Sequence, residues 1–190
     1  MGTLMRQAAT LLVLLTLITG VIYPLAVTGV SQVAFAHPAN GSVIERDGKP
    51  LGSELIGQAF KDPKYFWPRP SATSPFANNP SSSGGSNLGP NNTTLTDAVK
   101  QRIDALRAAD PDNSAPVPVD LVTASGSGVD PHISPAAAQY QLARVARVRG
   151  MAPANVAKLV DQATEGRQLV FLGEPRVNVL KLNLLLDGRW

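Results

Sequence analysis

The residues best equipped for chemistry are Ser125, Ser127, Asp130 and His132, which lie within a short stretch of the chain. They are the residue types of a hydrolase in which a serine attacks, an imidazole takes its proton and a carboxylate orients the imidazole. Residue type alone does not make that site. The G-x-S-x-G elbow is missing, and so are the S-x-x-K, S-D-N and K-T-G elements of a serine acyltransferase. The local reading instead gives His132 a structural task, capping or buttressing the loop into the helix that follows. Two glycine-rich pieces, Gly84-Gly85-Ser86-Asn87 and Ser125-Gly126-Ser127-Gly128, could cradle an anion with backbone N–H groups. Neither is followed by G-K-[ST], so neither is a P-loop, and turns are their simpler use. The two histidines, His37 and His132, stand far apart without ligand spacing, and the chain has no cysteine. The residues therefore assign no catalytic group, no metal ligand and no directly bound cofactor.

What must position such residues is set by the first part of the chain. From Ala8 to Val30 it reads AATLLVLLTLITGVIYPLAVTGV, with no charged side chain. A helix of about 20 apolar residues crosses a hydrocarbon core about 30 Å thick, so this stretch is long enough to span. Ala34-Phe35-Ala36 resembles the cleavage site of a secretory leader, which is the rival reading. The apolar run exceeds the roughly 7 to 15 residues of a leader core, which favours a retained span. Pro24 falls near its far end, where a kink is tolerated, and Thr16 with Gly20 forms a small-xxx-small face. Arg6 precedes the span, whereas Arg46 and Lys49 follow well beyond it. That bias predicts residues 1–7 in the cytoplasm and residues 31–190 outside it.

Residues 31–190 suffice for one domain with its own core. A formal net charge of +3 over 190 residues is no nucleic-acid footprint. Asp47-Gly48 after Val43-Ile44 predicts a strand over 42–46 and a hairpin turn. Gly52 to Phe60 reads as a short helix capped by Ser53, and Thr94 to Asp110 as a longer one with a capping box at Thr94 and Asp97. Val117 to Thr123, VPVDLVT, reads as a strand. Ser134, Pro135 and Gly150 bracket a helix, and Pro153 opens another that ends near Gly166. Arg144, Arg147 and Arg149 crowd the last turns of the first of these, where the helix dipole or an acidic partner would receive them. Arg176 to Asp187 slips phase at Val179-Leu180, as a bulged strand or a terminal helix would. The predicted fold is an α/β or α+β extracytoplasmic domain anchored by a single N-terminal transmembrane helix. Within it, residues 67–92 are rich in Pro, Ser, Gly and Asn, as in a linker, yet Tyr65, Phe66, Trp67, Phe76 and Leu88 are anchors a linker does not need.

Several blocks carry a resemblance: Tyr23-Pro24-Leu25-Ala26-Val27-Thr28-Gly29, Tyr65-Phe66-Trp67-Pro68-Arg69-Pro70-Ser71-Ala72 and Ser83 to Pro90 (SGGSNLGP). The longest is Asp120 to Ala136, DLVTASGSGVDPHISPA, and Leu172 to Leu180, LGEPRVNVL, follows near the end. In this order they resemble the C subunit of the Kdp potassium-transporting ATPase. The resemblance implies a non-catalytic accessory subunit of a plasma-membrane complex that imports potassium with ATP. Its implied partners are an ion-selecting channel-like subunit, a P-type ATPase subunit, a small peptide subunit and the lipid bilayer, with no nucleic acid. It also implies a catalytic chaperone that raises the ATPase subunit's affinity for ATP, while ATP and potassium are handled by the complex. ATP is cytoplasmic and the charge bias puts the domain outside, so any such effect is expected to be indirect. Ser86 or Asn87 stands where a nucleotide-transporter signature loop would carry glutamine. The residues expected at the partner interface are Tyr65, Phe66, Trp67, Arg69, Asn87, Ser127, Asp130, His132, Arg144, Glu174 and Arg176. The Tyr65–Pro90 segment is then expected to be ordered. A membrane-anchored serine hydrolase of the envelope and a released binding protein are the alternative classes.

Overall fold

An apolar run with no helix-stopping pair folds as one rod from Gly2 to Ala34. The computed structural model describes residues Met1–Trp190 and divides into two units, Met1–Val43 and Ile44–Trp190. In the first, α1 (Gly2–Leu17) passes through a π-helical turn at Ile18–Ile22 into α2 (Tyr23–Ala34). The wide turn has its cause in Pro24, which brings no N–H and crowds the carbonyl of Gly20. Widening the helix just ahead of the ring moves that carbonyl aside, and Tyr23 N–H reaches back to Ile18 O. The helix thus accommodates Pro24 with a local π-helical bulge. At 1.5 Å per residue the rod is about 50 Å long, and it contains the expected span with turns to spare. None of its side chains is buried by the chain itself. A single turn, α3 (Ala36–Ala39), follows.

The second unit mixes helix and sheet. Strands β1 (Val43–Arg46) and β2 (Lys49–Ser53) form the expected hairpin, with Asp47 at φ +52° and Gly48 at φ +71° in its turn. The helix expected over Gly52–Phe60 does not form. Gly57 N donates to Val129 O at 2.8 Å, and a Cβ on Gly57 would come within 2.7 Å of Asp130 O. A tertiary bond and a close backbone approach override the local preference.

Helix α4 (Thr93–Ala109) is capped by Asn92, whose side chain accepts from Thr94 N, rather than by Thr94. The strand expected over Val117–Thr123 is absent, and Val119–Leu121 is one turn of 3-10 helix. Pro116 and Pro118 remove the ladder donors that a strand there would need.

The remaining elements surround one short sheet. β3 (His132–Ile133), β4 (Thr164–Glu165) and β5 (Arg176–Asn178) pair antiparallel in the order β3-β5-β4. Helices α5 (Pro135–Arg149), α6 (Pro153–Ala163) and α7 (Val179–Leu186) pack against the central strand. Ser134 caps α5 by accepting from Ala137 N, and Gly150 ends it at φ +63°, both as expected. The phase slip at Val179-Leu180 is the junction where β5 becomes α7, with the Asn178 side chain capping the helix.

Into this core dips the irregular segment 65–67, with Phe66 fully buried. Its backbone groups need partners that no strand supplies. Two buried amides provide them: Asn183 accepts from Phe66 N at 2.9 Å and donates to Phe66 O at 3.0 Å, and Gln141 does the same for Trp67 at 2.8 and 3.1 Å. Arg144 completes the set. It donates to Pro63 O, to Tyr65 O at 3.1 Å and to Gln141 Oε1 at 2.6 Å, and its guanidinium stacks 4.6 Å from the Trp67 ring. Burial pushes Arg144 down to about 10, so it keeps its charge at neutral pH. Truncating it leaves the part-buried Tyr65 carbonyl without its donor, takes one of two donors from Gln141 Oε1 and removes the guanidinium stacked on Trp67. Arg144→Ala is expected to lower stability by about 3 kcal/mol or more; Arg144→Lys should recover little, because one ammonium cannot reproduce the fork. Denaturant midpoints of the full-length chain in mild detergent measure both.

Candidate functional site

Three sequence blocks that are distant in the chain meet at one place. The 69–73 strip, the 83–85 glycines and the 125–130 loop are laced by backbone bonds: Ser125 N to Pro70 O at 3.1 Å and Gly84 N to Ser127 O at 3.0 Å. The Ser71 hydroxyl donates to Gly128 O at 2.6 Å. The packing leaves no room for a side chain at Gly128 and little at Gly85, where a Cβ would meet Gly126 O at 3.1 Å. Gly128 sits at φ +69°, and a Cβ there would meet Gly84 O at 2.7 Å. Gly128 and Gly85 therefore serve close approach of one loop to another, and Gly84 N spends its donor on the facing loop rather than on an anion.

Beside this knot, Arg69, Asp130, His132, Glu165 and Arg176 stand in a line. Arg69 Nη1 lies 3.1 Å from Asp130 Oδ2, and Asp130 Oδ1 faces His132 Nδ1 at 3.4 Å and accepts from His132 N at 3.0 Å. His132 Nε2 is 3.9 Å from Glu165, which takes the Arg176 guanidinium at 2.8 Å. The short sheet builds this row: β3 carries His132, β4 carries Glu165 and β5 carries Arg176. A cavity of about 390 Å³ opens here, lined by Arg69, Asp130, His132, Glu174 and Arg176 among others. Glu174 itself is exposed and holds Arg167 through both oxygens, at 2.7 and 2.9 Å.

Of the residues singled out from sequence, these five therefore share one cavity. Ser127 is exposed in the knot, with its hydroxyl 3.3 Å from Ser125 Oγ, and Asn87 is exposed at φ +52°. Neither serine reaches the imidazole; the Asp130–His132 pair has no hydroxyl to activate. Phe66 and Arg144 are buried within this chain, at 0% and 2% exposure, so as they stand neither presents a face to another protein. Trp67 is half-buried beneath Arg144, and Tyr65 donates its hydroxyl to Asp187 at 2.8 Å. The arginines at the end of α5 find carboxylates in their own chain, a third outcome beyond dipole or partner. Arg147 pairs with Asp110 at 2.7 Å and Arg149 with Asp187 at 2.8 Å.

Sequence reasoning missed Glu165, which links His132 to Arg176, and Asp120, which accepts from Ser134 N and Oγ at 2.7 and 3.1 Å. It also missed Gln141 and Asn183. Their signal was a polar residue placed among apolar neighbours on a helix, as in Leu182-Asn183-Leu184.

Burial raises the Asp130 carboxyl, but hydrogen bonds from His132 and the nearby Arg69 outweigh it and hold the group below its ordinary 3.8. A depressed carboxylate stabilises the fold above its unfolded value, and that contribution fades as pH falls through the folded one. Asp130→Asn is thus expected to destabilise the chain at neutral pH, with the gap to the parent narrowing below about pH 4. Paired melting curves across pH 3 to 7 check the trend.

With this geometry in view, relatedness can be weighed. The family model described as K+-transporting ATPase, c chain, matches residues 5–188. The potassium-transporting ATPase KdpC subunit of Dechloromonas aromatica is 64% identical over 188 residues, covering 99% of this chain and 98% of the relative. That of Polaromonas naphthalenivorans is 66% identical, covering 99% and 96%; that of Methylococcus capsulatus is 65% identical, covering 96% of each. Agreement this close over almost the whole length takes in the helical rod, the loop knot and the charged row alike, and the chain belongs to the KdpC family, the c chains of K+-transporting ATPases.

Proposed function

We propose that the chain is an accessory subunit of an ATP-driven potassium uptake complex, retained in the plasma membrane by its Gly2–Ala34 rod, and that it hydrolyses no ATP itself. The observation that carries this reading is the rod: an apolar helix that buries no side chain against its own chain. Such a surface is stable only in lipid or against other membrane helices. The charge bias around the span supports a cytoplasmic N-terminus with residues 31–190 outside. The folded unit then covers the outer mouth of the ion-selecting subunit, while the rod packs beside that subunit's helices. ATP and potassium stay with the partner subunits. Any gain in ATP affinity reaches the ATPase subunit as a shift in the populations of the whole complex, without nucleotide touching this chain.

Purification through this chain in mild detergent is expected to bring down a potassium-stimulated ATPase. Removing the chain from that preparation should raise the apparent KM for ATP by several-fold while kcat changes less. Recovery of the chain as a free species, or an unchanged KM, would count against the respective half of the proposal. Orientation has its own test. The chain has no cysteine and Asp161 is exposed on α6, so Asp161→Cys should react with an impermeant maleimide added outside intact cells.

A further inference from the structure

The arm that joins β4 to β5 differs from everything else in the folded unit. Every residue from Gly166 to Arg176 is exposed. Its base is closed by the Glu165–Arg176 pairing, and Gln168 and Leu172 exchange two 2.8 Å backbone bonds just below the tip. A bidentate Arg167–Glu174 pair ties the two sides together. At the tip, Leu169, Val170 and Phe171 are 75%, 88% and 71% exposed. Leu169 at φ +49° and Val170 at φ +74° both occupy the left-handed region. Glycine and asparagine are the usual residues there, and a β-branched side chain is among the least suited. Two local preferences are therefore violated at one spot: apolar side chains face water, and the backbone holds them in a conformation they resist. Such coincidences mark function.

The nature of the cover follows from charge and rigidity. Arg167 is matched by Glu174 and Arg176 by Glu165, so the arm has no basic excess of the sort that draws interfacial segments to anionic lipid. A bilayer also accepts apolar side chains in any conformation. Two rungs and an ion pair that fix the tip in advance are useful where the receptor is shaped, because they remove the ordering cost of entry.

We propose that the Leu169–Phe171 tip is an anchor that enters an apolar pocket on another protein subunit of the potassium-transporting ATPase complex. This rests on the accessory-subunit reading and adds the surface through which it acts. With a photoreactive benzophenone side chain replacing Phe171 in the full-length chain, irradiation of the assembled complex should join this chain covalently to another subunit. Leu169→Asp combined with Phe171→Asp should reduce the ATPase retained on the tagged chain at least tenfold. The melting temperature of the full-length chain should hold, because these side chains lie outside its hydrophobic core. Adducts to lipid alone, no adduct at all, or parental recovery of ATPase by the double variant would each overturn the anchor. A parental chain that retains no ATPase would remove the accessory-subunit reading beneath it, and that result needs no substitution to be seen.

Discussion

The constraint on which the folded unit depends is the demand of buried backbone for hydrogen bonds. Residues 65–67 pass through the core at Phe66 without belonging to a strand, and a lost bond there costs on the order of 1–3 kcal/mol. Asn183 and Gln141 act as side-chain imitations of a neighbouring strand, each accepting from an N–H and donating to the C=O of one residue. Arg144 then collects the carbonyls that remain. Because α5 supplies two of these groups and α7 the third, the segment fixes the separation of the two helices as much as they fix it. The apolar core, from Val145 and Ala146 to Val177 and Leu182, closes around that arrangement.

The charged row is a second layer built on the first. Asp130 follows the loop that docks onto the glycines at 84–85, and its neighbour His132 opens β3, so knot and sheet share a joint. Short strands of two and three residues offer little ladder energy of their own. Arg176 and Glu165, opposed across β4 and β5, add a side-chain pair at the same rung. Membership in a family of transporter subunits is consistent with such a design, where polar side chains mostly hold shape.

How much of this was legible in the sequence varies with how local the cause is. Asp47-Gly48, Ser134-Pro135 and Gly150 specify their turn and caps through their own backbone preferences, and the structure follows them. The fate of Gly52–Phe60 is set at a distance, by Val129 O, whereas the cause in Val117–Thr123 is local: Pro116 and Pro118 withhold ladder donors beside and within it. The partners of Arg147 and Arg149 lie 37 and 38 residues away in sequence, beyond any periodicity. Five of the proposed interface residues do line one cavity, yet Phe66 and Arg144 owe their place to the core. An aromatic or an arginine inside a family motif reads the same from sequence whether it faces a neighbour or its own backbone.

The π-helical turn before Pro24 has a consequence for the rod as a whole. A ring nitrogen cannot donate, so Pro24 denies the preceding turn the donor that any other residue there would bring to a carbonyl oxygen. In hydrocarbon such an oxygen costs several kcal/mol until a donor arrives. A uniformly greasy cylinder could slide or spin in oil at little expense; one whose backbone polarity is bared at a fixed turn has a preferred depth and azimuth, like a key with its tooth cut.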